Sequence, residues 1–250
     1  RRSHLTDLVV DMIPPDFSYI QKILLPLFYT IQMSVTGTVL GTFFALVLSP
    51  FGAANLGFPA VIRRILRIVI QILRSFPALI LALTATFLFG LGTFAGTFAI
   101  TLYTFAIMTK LTYEDASAAD VKAYQALRAM GVSKYVAYIH GILPEIIPGF
   151  LTNALYLLET NVRHSSILGY VGAGGIGLLL NEKISWLEYD KVGTILLMLF
   201  LTVCVIEYFS RYLAALIRKE RTIKKEQKPT VVYQPVGTEL VEKQQATALA

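Results

Sequence analysis

Long apolar stretches alternate with short polar ones along this chain, and the lengths of the apolar stretches set the expected architecture. The first runs from about Leu24 to Leu48 without a charged residue. A turn rich in Pro, Gly and Asn follows at residues 49–60, and Arg63, Arg64, Arg67 and Arg74 come next. A second stretch begins within Ile68 to Leu73 and continues to about Phe89, with Pro77 expected to kink it. Gly90-Leu91-Gly92 reads as a tight external turn, after which a third stretch runs from about Thr93 to Met108 and ends at Lys110. A fourth starts near Gly149, and a last one occupies about Val192 to Ile217. About 20 apolar residues carry a helix across a hydrocarbon core of roughly 30 Å. The pattern therefore predicts an all-α, polytopic integral membrane protein with about five transmembrane helices.

Between the third and fourth stretches lies the most polar segment flanked by hydrophobic ones, residues 110–148, too charged to lie in lipid. Val121 to Met130 are mostly good helix formers. Gly131 breaks the helix, Ser133 is placed to N-cap a second one through Leu143, and Pro144 and Pro148 are expected to end it. A helix–Gly–helix hairpin held between spans is shaped to dock on something in the aqueous phase.

Composition agrees with the pattern. Hydrophobic residues make up 55% and charged residues 15%, where a soluble domain carries about a quarter charged. The pI near 9.3 does not point to nucleic acid, because the basic residues cluster at membrane edges, as positive-inside topology requires. The arginine turn, the hairpin and the basic run Arg218, Lys219, Arg221, Lys224, Lys225 and Lys228 then all lie in the cytoplasm. With five spans, residues 1–23 lie outside, where Asp7, Asp11, Asp16 and Pro14-Pro15 favour an interfacial segment over a span. Residues 24–217 form the membrane domain, and 218–250 a basic cytoplasmic tail expected to be disordered beyond about Gln227. No cleavable signal peptide is visible, and the opening Arg1-Arg2 leaves room for residues upstream, a further span among them.

Gln125-Ala126-Leu127, Gly131 and Leu143-Pro144 resemble the EAA loop by which ABC-importer permeases grip their ATPases. The family pattern is Glu-Ala-Ala, three residues, Gly, nine residues, Ile, one residue, Leu-Pro; this chain departs from it at Gln125, Leu127 and Gly141. Leu155-Tyr156, Glu159, Asn161-Val162-Arg163, Leu168-Gly169 and Val171 through Gly177 resemble the phosphonate branch, whose permeases import phosphonates, phosphite or related phosphorus oxyanions. Arg74-Ser75-Phe76-Pro77 and Lys110-Leu111 with Glu114 fit the same branch, and the resemblance covers roughly residues 25 to 217. It implies the fold of a type I ABC importer permease, paired as a homodimer. It also implies a cytoplasmic ABC ATPase dimer, which uses ATP and Mg, and an external solute-binding protein. The coupling contacts it implies are Gln125, Ala126, Leu127, Ala129, Gly131, Val132 and Ser133. A methionine- or amino-acid-type permease shares the hairpin and the glycine loop, and the E-x-N-x-R pattern is what separates the phosphonate branch from it.

Glu159 and Arg163 stand at i and i+4 with Glu first, the favourable order for an intrahelical pair. Ionisable residues at membrane depth are costly and imply a function by default. Two readings stay open: a self-neutralising structural pair, or a translocation path on which Asn161 and Arg163 touch an oxyanion. Arginine suits phosphoryl oxygens because its planar fork donates two hydrogen bonds. Arg74 is either a snorkelling anchor or a contact to the substrate path or partner subunit. Gly172, Gly174 and Gly177 match G-x-G-x-x-G, but no β–α alternation surrounds them, so a dinucleotide site is rejected. By resemblance this loop, Gly175 included, belongs to the external mouth of the path. Gly37 and Gly41 form a small-xxx-small pair suited to close helix packing.

No enzyme is expected. His4, His140 and His164 lack ligand spacing, and Cys204 lies within an apolar run, so neither a metal site nor a disulfide is indicated. No nucleophile has a placed base. The clustered carboxylates or histidines that a membrane enzyme acting on lipid phosphate would need are absent. A Walker A sequence is missing too, so no cofactor of its own is expected and ATP hydrolysis is left to another polypeptide.

Overall fold

A computed structural model describes residues 16–226, with side chains to 217, and every regular element among them is helical. A 3-10 turn at Phe17–Tyr19 leads directly into α1, Ile20–Gly52. The interfacial segment expected at residues 1–23 lies mostly outside the described residues; its last part belongs to this turn and to α1. From Ser34 onward the buried face of α1 is made of small residues, among them Ser34, Gly37, Thr38, Gly41, Thr42 and Ala45. Leu25, Phe28, Val39 and Phe43 point outward and are exposed. This inverts the amphipathy of a soluble helix. Lipid solvates large apolar side chains as well as a protein core does, so helices associate through small residues that let backbones approach.

The partner of that face is α4, Thr93–Ala118. A Cβ at Gly37 would stand 2.6 Å from Ile100 Cγ2, and one at Gly41 would stand 2.7 Å from Thr104 Cβ and 2.8 Å from Thr101 O. The two glycines thus face α4 where no side chain fits. The buried hydroxyls satisfy themselves on their own helix: Thr38 Oγ1 donates to Ser34 O at 2.6 Å and Thr42 Oγ1 to Thr38 O at 2.7 Å.

The second apolar stretch is broken at Pro77 more sharply than a kink. α2, Ala60–Ser75, and α3, Ala78–Phe89, meet at a 92° corner at Phe76-Pro77. Pro77 has no N–H to continue the ladder, and Phe76 before it is extended, at φ −86° and ψ 126°. α3 has 12 residues, about 18 Å of helix, too short to cross alone. Arg63 donates to Ala54 O at 3.3 Å, and Arg67 donates to Gly52 O at 3.0 Å while its guanidinium lies 5.0 Å above the Tyr113 ring. These arginines occupy the carbonyl end of α1, where the helix dipole favours cations.

α5, Lys122–Ala129, and α6, Lys134–Gly141, form the hairpin, followed by α7, Leu143–Leu168. Its limits differ from expectation, because α4 continues to Ala118 rather than stopping at Lys110. Pro144 and Pro148 do not end the second helix either. Pro144 sits in the first turn of α7, where a missing N–H costs little, and Pro148 lies inside that helix. A 3-10 turn at Gly169–Val171, α8 at Ile176–Ser185 and α9 at Tyr189–Glu226 complete the described chain. Residues 218–226, expected to belong to a tail, thus continue α9; the expected disorder beyond Gln227 falls outside the described residues. By length and composition α1, α4 and α9 can cross a membrane, and the number reaches five if each bent pair, α2–α3 and α6–α7, counts as one span.

The starts of α1 and α9 are tied by charge. Lys183 pairs with Glu182 at 3.1 Å and Glu188 at 3.0 Å, and Lys191 with Glu188 at 2.7 Å. Lys22, Lys183 and Lys191 each lie 5.6 Å from the Tyr19 ring centre. The hydrogen bond from Lys191, and then that from Lys183, holds Glu188 below the usual carboxylate range.

Gly41→Ala should cost about 1–3 kcal/mol by overpacking, read as a lower melting temperature in detergent. Phe43→Leu on the outward face should leave melting close to wild type; equal effects would remove the packing argument.

Candidate coupling and pathway sites

The hairpin is built from local caps on an apolar base. Val132 N–H donates to Leu127 O at 3.2 Å and Gly131 N–H to Arg128 O at 3.1 Å, with Gly131 at φ +83°. This is the Schellman arrangement that ends a helix on a left-handed glycine. Ser133 Oγ accepts from Val136 N at 3.4 Å and opens α6 as expected. Beneath them Tyr124, Ala137, Tyr138 and Ile142 pack with Ala53 and Leu56 after α1 and with Ala116 of α4. Tyr124 donates to Leu56 O at 2.6 Å, and burial pushes its phenol above the ordinary value. Lys134 donates to Gly57 O. A Cβ at Gly141 would stand 2.8 Å from the Tyr124 backbone, so this packing leaves no room there for a side chain.

Of the expected coupling residues, Gln125, Ala126, Ala129, Gly131 and Ser133 are exposed, whereas Leu127 and Val132 are half-buried against that base. Met130, 70% exposed at the tip, was not among the residues expected from the sequence. Its place just before the glycine cap was the available signal.

The Glu159–Arg163 pair forms on α7, as its spacing implies. Arg163 also lies 3.9 Å from Glu207 of α9, which pairs with Arg211 one turn on. Sequence reasoning passed over Glu207 and Arg211, although they repeat the Glu-x-x-x-Arg spacing of the first pair. Asn161, expected on the path, is fully buried within the chain, and its amide donates to Thr38 Oγ1 and Thr104 Oγ1, each at 2.8 Å. One side chain thus joins α7 to α1 and α4, because its position on α7 faces inward while Arg163 faces out. Arg74 ends α2 and is exposed, with no ion-pair partner within 4.0 Å among the described residues.

The glycine loop packs against three other elements. Gly172 O accepts from Gly92 N at 2.9 Å, Gly174 lies against Thr93, and Gly177 lies against the α7 backbone at Ser166. Gly175 lies against Thr30, whose hydroxyl accepts the N–H of Ile176 at 2.8 Å and so caps α8. Gly172, Gly174 and Gly175 all have positive φ, between +70° and +88°. No strand occurs among the described residues, so the sheet that a dinucleotide fingerprint needs is absent.

Residues 37–220 match the family described as the binding-protein-dependent transport system inner membrane component. The chain is 32% identical over 206 residues to the phosphite transport system permease protein PtxC of Stutzerimonas stutzeri, covering 82% of this chain and 75% of that protein. It is 31% identical over 203 residues to the phosphate-import permease protein PhnE of Mycolicibacterium smegmatis, covering 81% of this chain and 38% of that protein. Among solved structures, an inward-facing MetNI methionine ABC transporter matches with TM-score 0.69 at 20% identity, over 81% of this chain and 99% of that one. An amino acid ABC transporter with histidines gives TM-score 0.63 at 15% identity over the same shares, 81% and 99%. At these identities the likeness is one of fold.

Asn161→Leu should remove two interhelical hydrogen bonds of about 0.6 kcal/mol each. In a double-mutant cycle with Thr104→Val, followed by unfolding in mixed micelles, the two losses should be less than additive. Strict additivity would contradict the clamp.

Proposed function

This chain belongs to the binding-protein-dependent transport system inner membrane components, as a multi-pass permease of the ABC-importer type, and we propose that it imports phosphonates or related phosphorus oxyanions such as phosphite, phosphate or phosphate esters. The observation that carries this substrate class is Arg163, an arginine 47% exposed on α7, part of a bent candidate span, that donates to a glutamate of its own helix. Hydrocarbon does not tolerate such a group, so the face that carries it turns toward a water-filled path. A guanidinium on that path selects anions, and its fork matches phosphoryl oxygens. The relatives support the same class: those at 31–32% identity are named for phosphite and phosphate, whereas the methionine transporter shares the fold at 20% identity.

Two copies would enclose the path, since the spans of one chain are too few. The exposed hairpin residues Gln125, Ala126, Ala129, Met130 and Gly131 would sit in a groove of the cytoplasmic ATPase, with Leu127 and Val132 supporting them from beneath. ATP-driven closure of the ATPases would press the hairpins of the two copies together and rock the spans from inward- to outward-facing. The glycine loop and Arg74 would lie on opposite ends of this path, the loop toward an external binding protein and the C-terminus in the cytoplasm. ATP and Mg would be held by the ATPase and not by this chain.

The reconstituted complex should show ATPase activity stimulated by a binding protein loaded with one phosphorus oxyanion, and Arg163→Ala should abolish that stimulation. Stimulation by methionine alone would overturn the substrate class and leave the permease standing. Ala129→Asp should cut ATPase association about tenfold or more by burying an unpaired charge while leaving permease melting unchanged. Unaltered association would remove the hairpin from the interface.

A further inference from the structure

Glu207 holds a position that neutralising a single arginine does not require. Its Oε1 pairs with Arg211 on its own helix, and its Oε2 lies 3.9 Å from Arg163 across on α7. One carboxylate thus stands between two guanidinium groups contributed by two helices. Glu159, only 12% exposed, pairs with the same nitrogen, Arg163 Nη2. Two glutamates and two arginines leave the group neutral, as ionisable groups on membrane-crossing helices favour.

A carboxylate and a phosphorus oxyanion offer the same thing to an arginine fork, two negatively charged oxygens at matching separation. Of the ion pairs in the group, Glu207–Arg163 is the loose one: 3.9 Å exceeds hydrogen-bonding distance, while the other two pairs join residues one turn apart on a single helix. We propose that Glu207 is a built-in surrogate anion, resting beside Arg163 when the path is empty and displaced onto Arg211 when a phosphorus oxyanion enters. The proposal rests on the oxyanion-import reading above and adds the residues that tune it.

In the empty path Glu207 shields Arg163 and keeps its charge from standing bare. An arriving oxyanion takes the N–H donors of Arg163 that Glu159 does not use, and Glu207 closes fully on Arg211. When the oxyanion leaves, Glu207 returns to Arg163. A transport site must bind well enough to admit its substrate and weakly enough to release it, and a competing carboxylate on a neighbouring helix supplies the weakening. Arg211, 76% exposed, acts as a positioning residue that gives Glu207 somewhere to go.

This arrangement predicts effects of opposite sign at two residues that pair with each other. Glu207→Gln removes the competitor, so affinity for the oxyanion should rise. Arg211→Gln leaves Glu207 to Arg163 alone, so affinity should fall. Each change should be about tenfold, the scale on which one neighbouring charge moves an ionic equilibrium. Arg211→Lys keeps the charge and should stay near wild type. The measurement is equilibrium binding of radiolabelled phosphate to the purified full transporter, with phosphite and methylphosphonate as competitors, each variant checked by thermal melting. Uptake by proteoliposomes should slow in Glu207→Gln, because release becomes harder. Shifts of the same sign in both variants, or no shift in either, would reduce the group to a structural neutraliser and overturn the proposal. A wild-type transporter that neither binds nor takes up any phosphorus oxyanion would overturn the substrate reading itself.

Discussion

The close approach of α1 and α4 is the contact on which the rest of this structure depends. Where lipid surrounds a protein, burying apolar surface gains little, and association has to come from backbone proximity and satisfied polar groups. Gly37 and Gly41 provide the proximity by leaving no Cβ between α1 and the Ile100–Thr104 turn of α4. Asn161 of α7 then finds Thr38 and Thr104 both within 2.8 Å. Had α1 and α4 stood further apart, one amide could not have reached both hydroxyls.

That three-helix contact fixes what happens at its two ends. At one end, α1 terminates in carbonyls met by Arg63 and Arg67, and the hairpin of α5 and α6 stands on the residues just beyond α1 and on the last turn of α4. The hairpin is therefore stiffly joined to the spans, as a lever needs to be if closing it is to move a path. At the other end the glycine loop is wedged against Thr30 of α1 and Thr93 of α4. Motion of α1 relative to α4 would be felt at both ends.

The charges obey the same constraint. Arg163 and Asn161 sit two residues apart on α7, and the helix turns one outward and the other in. The inward residue clamps neighbouring helices, and the outward one meets α9 through Glu207. A single E-x-N-x-R stretch thus joins α7 to α1 and α4 on one side and to α9 on the other. A sequence reading that gave both residues to the path did not separate the two sides of α7 on which they stand.

What the sequence by itself determined is everything that depends on near neighbours along the chain. The membrane class, the long helices α1, α4 and α9, the glycine-capped hairpin, the Ser133 cap and the Glu159–Arg163 pair all follow from periodicity, caps and i, i+4 spacing. Tertiary structure alone decided the 92° corner between α2 and α3, the burial of Asn161, the recruitment of Glu207 to Arg163, and the division of the hairpin residues into a surface and a base. The reason is physical. In a helix whose buried and lipid-facing sides are both apolar, the pattern of hydrophobicity does not mark the inward face, so which residues meet across helices is set only when the helices pack.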